Sequence, residues 1–338
     1  MQTSARRLSD EQLATAQLEV PDPCTLPDLS RERPNADLTP EIIGEYHLAN
    51  DVEPIWCCHC QASRHRNGFV ITNGTGKHFL LGSTCGPEHY GLSFAFARRQ
   101  HSDLAKRKGV LARLNAILAT AHDLKRACHS ILHSEGLRAV DAKRAELRRA
   151  SEQVASLLAT AVQNGSALDE MVKVRDFEAE RRRDERSSSG KQDGPIYTQE
   201  RRSLGSVAGS GLVRTKGDCR DCLIALRDAV DHLFAFRATD TNKHALQTLT
   251  KAVRAAEEAW ARAESAVTEA EAAPFFFSAD NLSRLSRWSV AHKTFDLIAD
   301  EGRLVVIDRQ GRRTTIGPLG LISLPPFPRL AAANDHKP

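Results

Sequence analysis

The chain has 338 residues, of which 47 are Lys or Arg and 43 are Asp or Glu, a net charge of +4, and only 5% are aromatic. This length allows two or three folding units, and the abundance of Ala, Leu, Arg and Glu favours long helices. Eight cysteines are too few for a disulfide scaffold, and no apolar run is typical of a secretory signal or a membrane span. We therefore expect a cytoplasmic protein without membrane contact, whose clustered cysteines bind metal.

Charge is distributed unevenly along the chain. Residues 1–50 carry four Arg against nine acidic residues, a net charge of −5, whereas residues 51–126 carry eleven Lys or Arg against five acidic residues, a net charge of +6. The positive excess favours a polyanionic partner. A solvated helix surface explains the excess equally well.

The first 40 residues are rich in Pro, Asp and Arg and have no periodic apolar face. We predict that residues 1–40 are extended or disordered, and that Cys24 is a lone thiol.

Four cysteines fall in a compact unit predicted over residues 41–92. Cys57-Cys58-His59-Cys60 has the C-x2-C spacing of a metal-binding knuckle. Asn73-Gly74 lies between two apolar runs and predicts a β-hairpin. Cys85 and His89 then follow at a predicted helix start, four residues apart, where both side chains share one helix face.

The order of knuckle, hairpin and helix start resembles a treble-clef zinc finger. More narrowly, C-x2-C, a hairpin and GS-x-C-x3-H resemble zinc-binding modules of phages and mobile elements, over about residues 54–91 only. The resemblance implies four zinc ligands: Cys57, Cys60, Cys85 and His89. Cys58 is an alternative to Cys57, and His59 or His78 is an alternative to His89. The remaining alternative is a set of thiols without metal, since the strand-to-helix context of a redox C-x-x-C is missing.

A Cys₃His set leaves no open coordination position, which indicates a structural Zn²⁺. The signatures of zinc deaminases and HEXXH metalloproteases are absent. A nuclease would need a catalytic histidine near the hairpin; His65 and His78 are available, but neither lies in a convincing pattern. Enzymatic activity therefore stays undecided, and a non-enzymatic role is favoured.

Basic residues on and after the cysteine unit are candidates for phosphate contacts. They are Arg64, Arg66, Lys77, Arg98, Arg99, Lys106, Arg107 and Lys108. Trp56, Phe69 and Phe79 could stack on bases, but a small zinc unit needs them as core.

The rest of the chain predicts a mainly α protein. Residues 93–180 form a long helical region, residues 181–216 a linker or mobile loop, and residues 217–273 a second long helix. A heptad seam runs along this second helix. Its residues are Leu246, Leu249, Val253, Ala256, Trp260, Ala263, Val267 and Ala270. The expected architecture is a small treble-clef zinc unit followed by a long antiparallel helical hairpin or coiled coil.

Residues 274–338 predict a small α+β piece, with a short helix, a β-meander and an irregular tail. Cys219 and Cys222 form a second C-x2-C pair at a helix start, without another pair nearby to complete a site. The favoured function is nucleic-acid binding by a zinc protein of phage or mobile-element type. The alternative is a coiled-coil scaffold that binds a protein partner or itself, and a metal-dependent nuclease is less favoured.

Overall fold

The computed structural model describes residues 8–74, 76–165, 167–186, 194–238, 246–292 and 294–329. About 52% of the chain is helical, and the sheets are small. The helices are α1 (Asp10–Thr15), α2 (Cys85–Tyr90), α3 (Leu92–Leu132), α4 (Glu135–Ala150), α5 (Glu152–Gln163), α6 (Phe177–Arg186), α7 (Cys219–Ala238), α8 (Leu246–Glu271) and α9 (Ala279–Ser289). The strands are β1 (Glu41–His47), β2 (Ile55–Trp56), β3 (Ser63–His65), β4 (Asn67–Thr72), β5 (His78–Gly82), β6 (Ala167–Arg175), β7 (Tyr197–Ser206), β8 (Phe295–Asp300), β9 (Arg303–Asp308) and β10 (Arg313–Ile316). None of the helices in these ranges combines the length and apolar character that crossing a bilayer requires.

The chain divides into two compact units. Of the described residues, the first unit holds those within 8–119 and 232–254, and the second holds those within 120–231 and 255–329. The helices α3, α7 and α8 contribute residues to both units.

An antiparallel sheet in the order β1-β4-β5 organises the first unit. The predicted hairpin is confirmed, because β4 and β5 pair from Gly68↔Gly82 to Thr72↔His78. Strand β4 is buried on both faces, so its successive side chains enter two different apolar clusters. Phe69 and Ile71 point to the side that holds the cysteines, and Val70 points to the opposite side.

The segment predicted to be extended or disordered contains a short helix, α1, and isolated backbone pairing with the sheet. Helix α1 begins with a capping box between Ser9 and Gln12. Further along, Leu18–Val20 lies against the β1 edge, where the Val20 N–H donates to the Glu45 carbonyl. Residues 28–30 hydrogen-bond to His78 at the β5 edge. Both edges of the sheet are therefore covered by this N-terminal segment, which satisfies backbone groups there.

The second unit has an apolar core between helices and small sheets. An antiparallel meander of β8, β9 and β10 packs against α9, and β6 pairs with β7 in a two-stranded ribbon. The β8–β9 turn consists of Glu301 and Gly302, both with positive φ, as a two-residue hairpin turn requires.

The heptad seam is buried within the single chain. Seven of its eight residues are 5% exposed or less, and Leu246 is half-buried. Trp260 also donates its indole N–H to the Pro328 carbonyl at 3.2 Å. The seam thus needs no second chain to cover it, and its antiparallel pairing with the 93–180 region stays a prediction.

The predicted segments differ in content from the structure at three places. The 93–180 region, expected to be helical, contains β6 as well as α3, α4 and α5. The 181–216 segment, expected to be a linker or loop, contains β7 and a 3₁₀ turn at Ser210–Leu212. The 217–273 segment, expected to be one long helix, contains the two helices α7 and α8. Residues 187–193, 239–245 and the tail from 330 onwards lie outside the described residues.

Candidate metal centre

The knuckle is a tight turn between the short strands β2 and β3. The Cys57 carbonyl accepts from the Gln61 N–H at 2.8 Å, and the Cys57 N–H donates to the Ala62 carbonyl at 3.1 Å. Gln61 has a φ of 52°, which reverses the chain and brings β3 back along β2. Cys57 and Cys60 are placed at the two ends of this turn.

His65 ends β3 and faces the cysteines. Strand residues alternate between faces, so its neighbour Arg64 is exposed while the His65 ring is half-buried. Gly82 makes room for this ring: a Cβ at residue 82 would lie 2.3 Å from His65 Nδ1. The Gly82 N–H also points to Cys57 Sγ at 3.5 Å. A glycine is therefore required at the end of β5 for His65 to reach the cysteines.

Cys57, Cys60, His65 and Cys85 offer ligand atoms that all lie within 4.8 Å of one another. His65 Nε2 is 3.3 Å from Cys60 Sγ and 3.6 Å from Cys85 Sγ. Tetrahedral zinc with ordinary bond lengths places sulfur and nitrogen ligands about 3.6 Å apart. The cluster can hold a metal ion, and its Cys₃His chemistry is consistent with zinc.

The cysteines of the cluster differ in the direction in which their pKa values are shifted. Burial raises the pKa of Cys60, but hydrogen bonds from His65 and the Ala62 backbone outweigh burial and lower that pKa to about 6. Burial, together with the neighbouring Cys57, raises the pKa of Cys85 to about 12. Crowded thiolates repel each other, and a divalent cation removes that cost by binding them. This arrangement favours a cation over a metal-free set of thiols.

Cys58 points away from the cluster. Its Sγ–H donates to the Leu80 carbonyl at 2.8 Å, and its side chain is fully buried. Burial raises the pKa of Cys58 to about 12, so it remains a thiol. Cys58 is part of the core beneath β5 and does not replace Cys57.

The structure does not bring His89 into the cluster. His89 follows Cys85 on α2, but it donates Nε2–H to the Pro34 carbonyl at 2.8 Å. Its Nδ1 faces the Nδ1 of His59 at 3.2 Å, where the Arg33 guanidinium also donates. Burial, followed by the His89 and Arg33 charges, lowers the pKa of His59.

The two histidines that were alternatives to His89 also lie outside the cluster. His59 belongs to the pair with His89, and His78 donates Nδ1–H to the Pro27 carbonyl at 2.8 Å. The candidate ligand that sequence reasoning missed is His65. The signal for it was the C-x4-H spacing from Cys60, on the strand that returns from the knuckle.

Four of the eight predicted phosphate-contacting residues form hydrogen bonds or ion pairs within the chain. Arg66 donates to the Ala49 and Val52 carbonyls, and Lys77 pairs with Glu32 at 2.8 Å. Arg107 pairs with Asp10 at 2.8 Å, and Lys108 donates to the Ala16 carbonyl. These four residues attach loops and the N-terminal segment to the first unit.

The other four predicted residues, Arg64, Arg98, Arg99 and Lys106, are exposed. Arg98 lies over the Phe69 ring, 5.6 Å from its centroid. Within the described ranges, Arg64, Arg99 and Lys106 form no ion pair.

Of the aromatic residues, Phe69 and Phe79 are core, as expected, and Trp56 packs partly buried against the cysteine side. An exposed aromatic residue that sequence reasoning missed is Phe96, 61% exposed on α3.

The second C-x2-C pair is not part of the cluster. Burial raises the pKa of Cys219 to about 12, and burial also raises the pKa of Cys222. Without a cation nearby, a raised pKa disfavours the free thiolate that redox chemistry needs.

The chain was compared with known protein families, curated proteins and solved structures, and none of them matches it.

Proposed function

We propose that this chain is a non-enzymatic, zinc-binding protein that contacts nucleic acid, and that its Zn²⁺ is structural. The observation that carries the proposal is the partly buried cluster of three cysteines and His65. Four protein ligands complete the tetrahedral coordination sphere of a zinc ion, so no coordination position stays open for a water or a substrate. The function then lies on the surface that the ion stabilises.

The zinc ligands that we propose are Cys57, Cys60, His65 and Cys85, with His65 in the place that the sequence motif gives to His89. The knuckle, the β4–β5 hairpin and the start of α2 support a treble-clef arrangement over residues 54–91. A phage or mobile-element origin is proposed on the motif alone. We place the protein in the cytoplasm, where thiols stay reduced for metal binding.

The nucleic-acid surface that we propose includes one stripe along α3. Leu92, Phe96, Arg99 and Lys106 are exposed and follow at spacings of four, three and seven residues, so they share one helix face. The stripe extends over about 21 Å at 1.5 Å per residue. Its cations suit phosphates, and its exposed ring suits an unstacked base. Arg64 beside the metal cluster adds a further exposed cation.

The experiment is an anisotropy titration of the zinc-loaded full chain with labelled single-stranded DNA, duplex DNA and RNA at several salt concentrations. Replacement of Arg64, Arg99 and Lys106 together by Ala should weaken binding. It should also reduce the slope of log affinity against log salt by about 2 to 3, because each phosphate contact contributes about 0.7 to 0.9. Phe96→Ala should weaken single-strand binding roughly tenfold and change duplex binding little.

A matched control removes the same charge elsewhere. Arg138, Lys251 and Arg262 are exposed residues on α4 and α8, and their triple replacement by Ala should leave the salt slope unchanged. Undetectable binding at low salt would refute nucleic-acid contact. Equal losses in both triple variants would show a non-specific charge effect and would refute the stripe.

One observation favours the second candidate function, a protein-interaction scaffold. Leu92 is 90% exposed and Phe96 is 61% exposed, four residues apart on α3. Apolar pairs of this kind suit a protein partner or a second copy of the chain. Sedimentation velocity of the wild type and of Leu92→Ser/Phe96→Ser tests this function. A concentration-dependent oligomer that the double variant abolishes, without salt-sensitive nucleic-acid binding, would favour the scaffold.

A further inference from the structure

His59 and His89 face each other outside the Cys₃His cluster. Their Nδ1 atoms lie 3.2 Å apart, and their rings are tilted by 54° with centroids 4.9 Å apart. The His59 side chain is only 15% exposed, and the His89 ring packs edge-on against Tyr90. Packing therefore holds both rings in an arrangement that the structural zinc does not use.

The hydrogen bonds around the two rings determine which nitrogens carry protons. A carbonyl only accepts, so His89 Nε2, 2.8 Å from the Pro34 carbonyl oxygen, carries the proton of a neutral ring and leaves Nδ1 as an acceptor. A guanidinium only donates, so His59 Nδ1, 3.2 Å from Arg33, is an acceptor as well. The proton of the His59 ring is then on Nε2, which lies 3.7 Å from the Glu88 carboxylate.

Two lone pairs thus face each other across 3.2 Å, and neither Nδ1 donates to the other. Like partial charges at this distance repel unless a positive group lies beside them. The Arg33 guanidinium supplies a positive charge at His59 Nδ1. Because Arg33 is exposed, a bound cation can displace its side chain.

The distance between the two Nδ1 atoms suits a metal ion. Zinc–nitrogen bonds of about 2.0–2.1 Å at a tetrahedral angle place two nitrogen ligands about 3.3 Å apart. Metal-ligating histidines commonly donate their other ring N–H to a backbone carbonyl or a carboxylate. The Pro34 carbonyl and the Glu88 carboxylate are such groups here. Imidazole nitrogens suit Zn²⁺, Cu²⁺ and Ni²⁺.

We propose that His59 Nδ1 and His89 Nδ1 bind a second divalent transition-metal ion, such as Zn²⁺, beside the structural cluster. Among the described residues, the Cys₃His cluster is the one set of three or more ligating side chains within 4.8 Å, so this second ion has two side-chain ligands. Water completes its coordination. Two ligands hold an ion less tightly than four, so dialysis against a mild chelator removes the second ion and leaves the structural one. This proposal does not depend on nucleic-acid binding.

The test titrates Zn²⁺ into the full chain that already holds one zinc, followed by calorimetry. The wild type should bind one further equivalent. In spectra of ¹⁵N-labelled histidines, the added Zn²⁺ should shift the Nδ1 signals of His59 and His89 and leave both Nε2 atoms protonated. His89→Gln can still donate to the Pro34 carbonyl but offers no ring nitrogen, so the affinity for added Zn²⁺ should fall at least tenfold.

Arg33→Ala removes the guanidinium that competes for His59 Nδ1. The affinity for added Zn²⁺ should therefore rise about three- to tenfold, the effect of one hydrogen bond. Arg31→Ala is the matched control, because it removes the same charge from an exposed position two residues away. Its effect on the affinity should be at most about twofold, since salt screens exposed charges that make no contact.

A second control concerns another histidine pair. His129 and His133 are exposed, four residues apart near the end of α3, with ring centroids 4.4 Å apart. Such a pair on a helix can also bind added Zn²⁺. His129→Ala/His133→Ala should nevertheless keep the second equivalent and the wild-type affinity.

The proposal is overturned if the wild type binds no further Zn²⁺, or if His89→Gln keeps the wild-type affinity. Loss of the second equivalent in His129→Ala/His133→Ala also overturns it, because the ion then binds on α3. Equal effects of Arg33→Ala and Arg31→Ala would show a general charge effect without contact at His59 and would overturn it too. If His89→Gln loses the structural zinc, His89 belongs to the first ligand set, and the proposal is overturned as well.

Discussion

Cys60 Sγ and His65 Nε2 lie 3.3 Å apart, within the range that two ligands of one zinc ion require. His89, which the sequence motif implies as the ligand, donates instead to Pro34. We expect one zinc per chain in the wild type and in His89→Ala, and almost none in His65→Ala. Elemental analysis after dialysis against a mild chelator measures this. Zinc lost from His89→Ala and retained by His65→Ala would restore the motif's ligand set.

Gly82 controls the position of the His65 ring. Because a Cβ at residue 82 would overlap the imidazole, Gly82→Ala should displace His65 and lower zinc affinity about 10- to 100-fold. Competition with a chromophoric chelator measures the affinity. The control is Gly109→Ala: a Cβ there meets nothing within 4 Å, and a helical alanine should stabilise by about 0.5–1 kcal/mol. Unchanged zinc affinity in Gly82→Ala would argue against His65 as a ligand.

Cys58 and Cys57 are neighbours with different roles. Cys58→Ala removes the S–H···O bond to Leu80 and should lower the free energy of unfolding by about 1 kcal/mol, with the zinc content unchanged. Cys57→Ala should lose the zinc. Urea denaturation and elemental analysis of both variants separate the two effects. Loss of zinc from Cys58→Ala would reinstate Cys58 as an alternative ligand.

Arg144 connects α4 to the loop before α7. It is 9% exposed and donates to the Gly211 and Leu212 carbonyls and to Asp218. Lysine lacks the planar fork that reaches all three groups, so Arg144→Lys should destabilise the protein by about 2–3 kcal/mol.

Arg148, on the same helix, is exposed, and Arg148→Lys should change stability by less than about 0.5 kcal/mol. Chemical denaturation followed by circular dichroism compares the two variants. Equal stabilities would mean that the Arg144 contacts contribute nothing beyond charge.

His101 makes stability depend on pH. Burial lowers its pKa, and the Glu45 carboxylate and the Ile42 carbonyl offset this only in part. The unfolded chain therefore binds the proton more readily, so stability should fall as pH drops through about 6.5 towards the lower folded pKa. One proton gives at most about 1.4 kcal/mol per pH unit.

The measurement is urea denaturation of the wild type and His101→Leu at pH 7.5 and pH 5.5. Acid loss of zinc affects both proteins alike, so the difference between their pH dependences isolates His101. A His101→Leu variant with the full pH dependence of the wild type would contradict this prediction.

Local patterns in the sequence were sufficient to predict several elements of the structure. Asn73-Gly74 between apolar runs predicted the β4–β5 hairpin, because turn chemistry and strand alternation act within a few residues. The heptad spacing around Trp260 predicted which helix face is buried. Three of the four clustered candidate ligands, Cys57, Cys60 and Cys85, also follow from local spacing.

The remaining features depend on contacts between residues that are distant in sequence. An N-terminal segment without apolar periodicity covers both edges of the first sheet, because the backbone groups of the edge strands offer it hydrogen bonds. The sequence shows that Lys77 and Arg107 are positively charged. It does not show that they form ion pairs with Glu32 and Asp10, which are distant in sequence. Such pairs cannot be read from composition.

The sequence by itself determined that a metal-binding cysteine cluster should lie between residues 54 and 91, since a knuckle and a hairpin are encoded by neighbouring residues. Only the tertiary structure decided which histidine completes the cluster. His89 shares a helix with Cys85, yet the Pro34 carbonyl and the ring of His59 occupy its nitrogens. His65 reaches the cysteines because Gly82, seventeen residues away, leaves space for its ring.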